Sequence, residues 1–210
     1  TSPNNILYGS NWGHAFFQLK ACDFCDDVMG ETADVSLGDA WLPQYESFWG
    51  GTNVIICRNK RIQELLDVGF NSGAILLEPL TADEISASQL GNYRHRWDGL
   101  SVRLGDAIKN SKWVPRKRIM PSSRKVCLWR KALVRLREHI ALQSHQAFLE
   151  AKKRNDLAYF VQSMLPLTNR MHYIYKFAQI TNLKFIREKL LNPKFILNKL
   201  LKKIKLIVGR

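Results

Sequence analysis

The stretch "ACDFCDDVMGETADVSLGDAW", residues 21–41, places a Cys-x2-Cys pair directly before a run of strand-like alternation. The two thiols, Cys22 and Cys25, lie among three acids, Asp23, Asp26 and Asp27. Residues 33–40 alternate between apolar and polar side chains and end at Gly38-Asp39, which predicts a strand that stops near the glycine. The stretch therefore predicts a thiol-bearing loop that leads into a β-strand.

Two thiolates at this spacing can bind one metal ion or one iron–sulfur cluster. Structural zinc needs four ligands, and the sequence holds no second Cys-x2-Cys or His-x3-His pair. A thioredoxin-like dithiol needs a positive setting that lowers its thiol pKa, whereas the neighbours here are carboxylates. An iron–sulfur cluster whose other ligands lie elsewhere therefore fits best, and an unligated pair of thiols stays open as the alternative.

Strands and helices alternate through the residues around the cysteines. Strand-like runs cover 14–19, 33–40, 52–58 and 74–80, and the third contains Cys57 as a small core residue. Helical spacing covers 60–73 with Gly69 as the expected stop, and Thr81 with Glu84 has the capping-box spacing of a second helix start. The order β-β-β-α-β-α predicts an α/β or α+β domain, a mixed sheet with flanking helices.

Charge divides the chain into two parts. Residues 1–124 hold 13 Lys and Arg against 14 Asp and Glu, whereas residues 125–210 hold 19 against 4. The segment 113–125, with two prolines and a basic cluster, predicts the boundary between a domain at 1–120 and an extension at 121–210. Beyond it we expect a basic all-α extension, from an apolar stripe (Trp129, Leu133, Leu136, Ile140), Asn155 as a helix cap and Pro166 as a helix end.

The sequence around the cysteines resembles the C-terminal domain of the coenzyme F-420 hydrogenase/dehydrogenase beta-subunit family. That family's pattern begins with Cys-x2-Cys-x-Asp, matched by Cys22, Cys25 and Asp27. Its two further elements are matched by a second set of residues: Glu31, Ala33, Asp34, Ser36, Gly38 and Thr52. The stretches "SQLGNYRHRWDGL" and "WVPRKR" are similar to a bacterial branch associated with surface-polysaccharide biosynthesis, so the resemblance covers about residues 10–120.

The resemblance implies an oxidoreductase that uses FAD and 4Fe-4S clusters to pass electrons between a low-potential carrier, such as ferredoxin or coenzyme F-420, and an organic acceptor. It implies that Cys22 and Cys25 are cluster ligands, with the other ligands and most of the flavin pocket in a region upstream of Thr1. Gly38 would let the backbone approach the cofactor closely, and the neighbouring acids would lower the cluster's reduction potential. Asp39 is assigned either a flavin-facing role or a turn-stabilising one.

Two arginines in "NYRHRWDGL" are further cofactor-binding candidates. Arg94 and Arg96 are suited to hold a flavin pyrophosphate or an anionic substrate through charge-assisted hydrogen bonds. The alternative is a solvated basic turn.

Other classes of function follow from the basic extension, because the chain carries a formal net charge of +14. Nucleic-acid binding is one rival, and a non-catalytic remnant of the redox family is another. In 192–210 the lysines share a helical pattern with a broad apolar face, which favours an anionic membrane surface or a partner helix over nucleic acid. The sparse cysteines indicate a reduced, cytoplasmic setting, with the inner membrane surface as a peripheral site.

Overall fold

The computed structural model describes residues 7–45, 47–122 and 126–181. The chain divides into two compact units. One, here called the Cys unit, spans Leu19–Val126; the other, the helical unit, joins Thr1–Gln18 to Cys127–Arg210. The predicted domains at 1–120 and 121–210 stay a prediction.

In its described residues, the Cys unit contains a small sheet and four α-helices. Strand β1 (Val35–Asp39) pairs with β2 (Asn53–Cys57) in an antiparallel register that sets Val35 against Cys57 and Asp39 against Asn53. The helices are α1 (Lys60–Asn71), α2 (Ala82–Ser88), α3 (Leu90–Tyr93) and α4 (Gly99–Lys109), with a π-helical turn at Arg94–Asp98 between the last two. A short 3-10 helix, Lys20–Phe24, carries the first cysteine.

Local signals explain where these helices begin and end. The Asn59 side chain accepts a hydrogen bond from the Arg61 amide at the start of α1. The predicted capping box opens α2, because Thr81 Oγ1 accepts from the Glu84 amide while the Glu84 carboxylate accepts from the Thr81 amide. The stop expected at Gly69 is wrong: α1 runs on to Asn71, and Gly73 takes the left-handed backbone angle beyond its end.

The described part of the helical unit contains a hairpin of two long helices, α5 (Leu128–Arg154) and α6 (Leu157–Thr181). The predicted stripe faces its core, where Leu133 and Ile140 are fully buried. Across the hairpin these side chains join Phe160, Met164 and Met171 of α6. Burying such a row of apolar side chains is the main force that closes the hairpin.

Two predicted strands do not form. Residues 14–19 instead follow a 3-10 turn at Trp12–His14, with Ala15 and Phe17 at positive φ. The Phe17 ring stacks on Phe160, with ring centres 5.7 Å apart, so packing on the helical hairpin replaces strand pairing. Residues 74–80 are irregular, and Leu76 is 93% exposed, because none of the described segments pairs with them.

The helix start predicted at Asn155 and the helix end predicted at Pro166 are also wrong. Asn155 adopts the left-handed conformation and ends α5, while the Asp156 carboxylate accepts from the Ala158 amide at the start of α6. Pro166 lies inside α6. A helix-interior proline costs roughly 3 kcal/mol, and the buried neighbours Met164 and Met171 offset that cost through packing on α5.

The predicted fold class is confirmed: α and β structure are mixed, and a helical part follows. Within the described residues the sheet has two antiparallel strands, so it is not the mixed sheet that we expected. No helix in this part of the chain is long and apolar enough to span a bilayer. The segment 192–210 lies outside the described residues, and its membrane binding stays a prediction.

Candidate functional site

The two cysteines lie on one loop, residues 20–31, here called the Cys loop. Cys22 is exposed on the 3-10 helix and Cys25 is half-buried directly after it. The Cys25 amide donates to the Cys22 carbonyl at 3.3 Å, which closes a turn between them. Both thiols are free, so both are chemically available to a metal or an oxidant.

Arg96 contacts the sulfur of Cys25. Its Nη1 lies 2.7 Å from Cys25 Sγ and 2.6 Å from the carbonyl oxygen of Asp27. One guanidinium nitrogen thus joins the sulfur to the loop backbone. A cationic hydrogen-bond donor beside a sulfur stabilises that sulfur as a metal ligand.

The π-helical turn Arg94–Asp98 carries Arg96 and Trp97 to the loop. Trp97 Nε1 donates to the Asp26 carbonyl at 3.2 Å, next to the Arg96 contacts. A π-helical turn inserts one residue into a helix and re-aims the side chains around it, and such turns are frequent at functional sites. Here two adjacent side chains reach the same stretch of the Cys loop.

Two further cations neutralise the loop's acids. Arg118 forms a two-pronged pair with Glu31, at 2.7 Å on both oxygens, and Lys117 Nζ lies 3.3 Å from Asp26 Oδ1. Burial raises the pKa of Asp26, but the hydrogen bond and charge of Lys117 and the charge of Arg118 outweigh it and hold that pKa below its usual range. Hydrogen bonds from Arg118 likewise lower the pKa of Glu31.

The loop backbone is held by two more arginines. Arg103 is 4% exposed and donates from Nε to the Asp23 carbonyl at 2.7 Å. Arg58 donates to the carbonyls of Met29, Gly30 and Ala33 at 3.0–3.1 Å. Because these carbonyls would otherwise need water, the contacts hold the loop in one conformation.

Gly38 and Asp39, the predicted cofactor residues at the end of β1, lie next to Gln89, a few residues before the π-helical turn. Asp39 is exposed, and its carbonyl accepts from Gln89 Nε2 at 2.9 Å. That amide nitrogen would lie 3.7 Å from a Cβ added to Gly38. Gln89 Oε1 in turn accepts from Asn92 at 2.7 Å. Residues 89–98 therefore connect the Gly38-Asp39 end of β1 to the Cys loop.

Arg94 and Arg96 both lie on the π-helical turn, but their side chains have different partners. Arg96 points into the Cys loop, as described above, whereas Arg94 is exposed and donates from Nε to the Leu90 carbonyl at 3.3 Å. The paired role predicted for them toward a flavin stays a prediction. Arg96 instead has sulfur and backbone partners within its own unit.

The donor set fits half of an iron–sulfur site. Two thiols on one loop, one of them beside a guanidinium, are ligands of the right type. Among the described residues, no group of three or more His, Cys, Asp or Glu side chains is placed to hold a metal ion. The loop therefore offers two ligands of the four that such a cluster takes.

Sequence reasoning missed most of the cations that surround the Cys loop. Arg58 follows β2 directly, and Arg103 interrupts the apolar pattern of α4 between two buried residues. An arginine at a core position is rarely buried without a partner, so Arg103 carried a usable signal. Lys117 and Arg118 belong to the basic cluster interpreted as a boundary, and they contact acids 87 to 92 residues away. Nothing local in the sequence indicates that pairing.

The comparison with protein families agrees with this location. Residues 5–83 match the family described as the C terminus of the beta subunit of coenzyme F420 hydrogenase/dehydrogenase. The resemblance is therefore confirmed over a segment that includes the Cys loop and both strands, and it indicates an oxidoreductase family. Comparisons with curated proteins and with solved structures found no match.

Proposed function

We propose that the Cys loop supplies two thiolate ligands, Cys22 and Cys25, to a 4Fe-4S cluster of a flavin-dependent oxidoreductase. The remaining ligands come from outside the residues described. The enzyme passes electrons from a low-potential carrier such as ferredoxin to an organic acceptor, in surface-polysaccharide metabolism.

The observation that carries the proposal is the contact between Arg96 and Cys25. Arg96 Nη1 lies beside Cys25 Sγ, and both groups also contact the Asp27 carbonyl oxygen. A cationic N–H donor beside a cysteine sulfur suits a sulfur that binds a metal, because such a donor stabilises the charge of the metal–thiolate unit. The family match over the same loop supports a redox metal group as the partner of these sulfurs.

The chain's own residues have separable parts in this function. Cys22 and Cys25 bind the cluster, which supplies one-electron transfer when bound. Arg103 and Arg58 hold the loop backbone, so that both sulfurs keep a fixed direction. Gly38, Asp39 and the exposed Arg94 are the residues we assign to the flavin.

Iron and acid-labile sulfide measure this function directly. The protein, produced at its full natural length and purified without oxygen, is compared with Cys22→Ser and Cys25→Ser. Both variants should lose most of their iron and sulfide. Cys127→Ser is the matched control, because Cys127 is an exposed thiol outside the Cys unit.

Loss of iron in either loop variant, with retention in Cys127→Ser, supports the ligand role. Wild-type iron content in both loop variants overturns it and leaves the pair as unligated thiols. Cys57→Ser adds a second control inside the same unit, since its Sγ donates to the Asn59 carbonyl at 3.3 Å in β2 and away from the loop.

A further inference from the structure

The Cys loop is itself acidic, but the side chains that surround it are mostly positively charged. The loop carries four carboxylates: Asp23, Asp26, Asp27 and Glu31. Among the described residues, the loop's own Lys20 and five cationic side chains from outside the loop contact it: Arg58, Arg96, Arg103, Lys117 and Arg118. The cations therefore outnumber the acids, and the expectation that the acids lower a cluster's potential does not follow from this arrangement.

Each carboxylate of the Cys loop has a hydrogen-bond or ion-pair partner. Asp23 pairs with Lys20 at 2.9 Å, Asp26 with Lys117 at 3.3 Å, and Glu31 with Arg118 at 2.7 Å. The Asp27 carboxylate accepts from the backbone amides of Met29 and Glu31. Each acid is thus engaged, whereas one cation, on Arg96, is directed at a sulfur.

Reduction of a cluster adds one electron and one negative charge, part of which resides on the ligand sulfurs. Hydrogen bonds to those sulfurs and nearby positive charge stabilise the reduced state, and so raise the reduction potential. Arg96 supplies both effects through one nitrogen. Its second contact, 2.6 Å to the Asp27 carbonyl, keeps that nitrogen directed at Cys25.

We propose that Arg96 is a positioning residue that raises the reduction potential of the cluster held by Cys25. The inference rests on the proposed function. Arg96 would then set the cluster's reduction potential without being a ligand. That potential decides how strongly reducing the electron donor must be.

Midpoint potentials test the proposal, measured by dithionite titration of anaerobically purified protein with the cluster's visible absorption as the signal. Arg96→Met should lower the potential, so that at the wild-type midpoint the ratio of reduced to oxidised cluster falls about tenfold, a shift of about 59 mV for one electron. Arg96→Lys keeps the charge without the planar donor pair and should lie between Met and wild type.

Arg118→Met is the matched control. Arg118 also contributes one positive charge and also donates to a carbonyl of the Cys loop, that of Asp26 at 2.8 Å, but its described contacts are with oxygen atoms. If contact with sulfur matters, Arg118→Met shifts the potential by less than half of the Arg96→Met shift. Equal shifts would mean that charge near the loop acts without the contact, and would overturn the proposal.

Other outcomes are equally decisive. A wild-type protein without a cluster overturns the proposed function, and this inference with it. A loaded Arg96→Met protein with the wild-type potential overturns this inference alone. If Arg96→Met does not load, Arg96→Gln, which keeps an N–H donor but no charge, takes its place with the same expected direction. Failure of all three Arg96 variants to load would make Arg96 a requirement for assembly and reject its role in setting the potential.

Discussion

The helical unit buries a row of apolar side chains between α5 and α6, whereas the Cys loop of the other unit is held by guanidinium groups on backbone carbonyls. In the first case, burial of apolar side chains stabilises the fold. In the second, α1 contributes no buried residue, and polar contacts over long sequence distances hold the loop.

The two regions should therefore respond differently to substitutions. An apolar core loses stability when volume is removed, in proportion to the cavity left behind. A loop held by hydrogen bonds to its carbonyls loses its conformation when one donor is removed, because the carbonyl is left without a partner.

The largest effect is expected in the helical core. Met164 is fully buried, so Met164→Ala should lower the free energy of unfolding by about 2–5 kcal/mol. Urea unfolding followed by circular dichroism measures it. Leu149→Ala, at a side chain 61% exposed on α5, should change stability by less than about 0.5 kcal/mol. Equal effects would mean that the hairpin core is not where the structure puts it.

Substitution of Arg103 tests whether side-chain hydrogen bonds to backbone carbonyls hold the Cys loop in its conformation. Arg103→Met leaves the Asp23 carbonyl without its donor and should cost about 1–3 kcal/mol. Hydrogen exchange should become faster at the amides of the Cys loop while those of α5 and α6 keep their protection. Lys109→Met, an exposed position on the same helix, should leave the exchange unchanged. Faster exchange throughout the chain would contradict the separation of the two units.

A smaller change is expected at the capping box. Thr81→Ala removes the acceptor for the Glu84 amide and should cost about 0.5–2 kcal/mol, while Thr81→Ser should cost almost nothing because serine caps equally well. Thermal unfolding of the two variants side by side measures this. If both lose the same stability, the threonine acts through its methyl group and not as a cap.

The smallest effect concerns pH. Hydrogen bonds from the Thr81 amide and hydroxyl lower the pKa of Glu84. The folded state then binds its proton less readily than the unfolded state, so this stabilisation is present above the ordinary glutamate pKa and is lost as pH falls through the folded pKa. Glu84→Gln should flatten that part of the stability profile below about pH 5. Glu64→Gln, exposed on α1, should leave it unchanged.

The elements that the sequence predicted correctly depend on neighbours within a few residues. Strands β1 and β2, helix α1 and the Thr81–Glu84 capping box all follow from local pattern. The strand expected at 14–19 failed because its aromatic rings find partners on α6, far along the chain. Pro166 failed as a helix end for the same reason, since packing on α5 outweighs the local penalty.

The candidate site divides in the same way. Cys22, Cys25 and their likeness to a redox family could be read from one short stretch. The cations that neutralise the loop could not, because Arg96 is 71 residues from Cys25 and Arg118 is 87 residues from Glu31. Local composition showed acids near the thiols, and only the fold shows those acids paired.

The central claim, that the Cys loop is a redox metal site, is tested most directly by anomalous diffraction at the iron edge from crystals grown without oxygen. We expect a strong iron peak adjacent to the sulfurs of both Cys22 and Cys25, with Arg96 still beside Cys25. A difference map without iron at the loop, or with iron bound elsewhere and both thiols free, would contradict it.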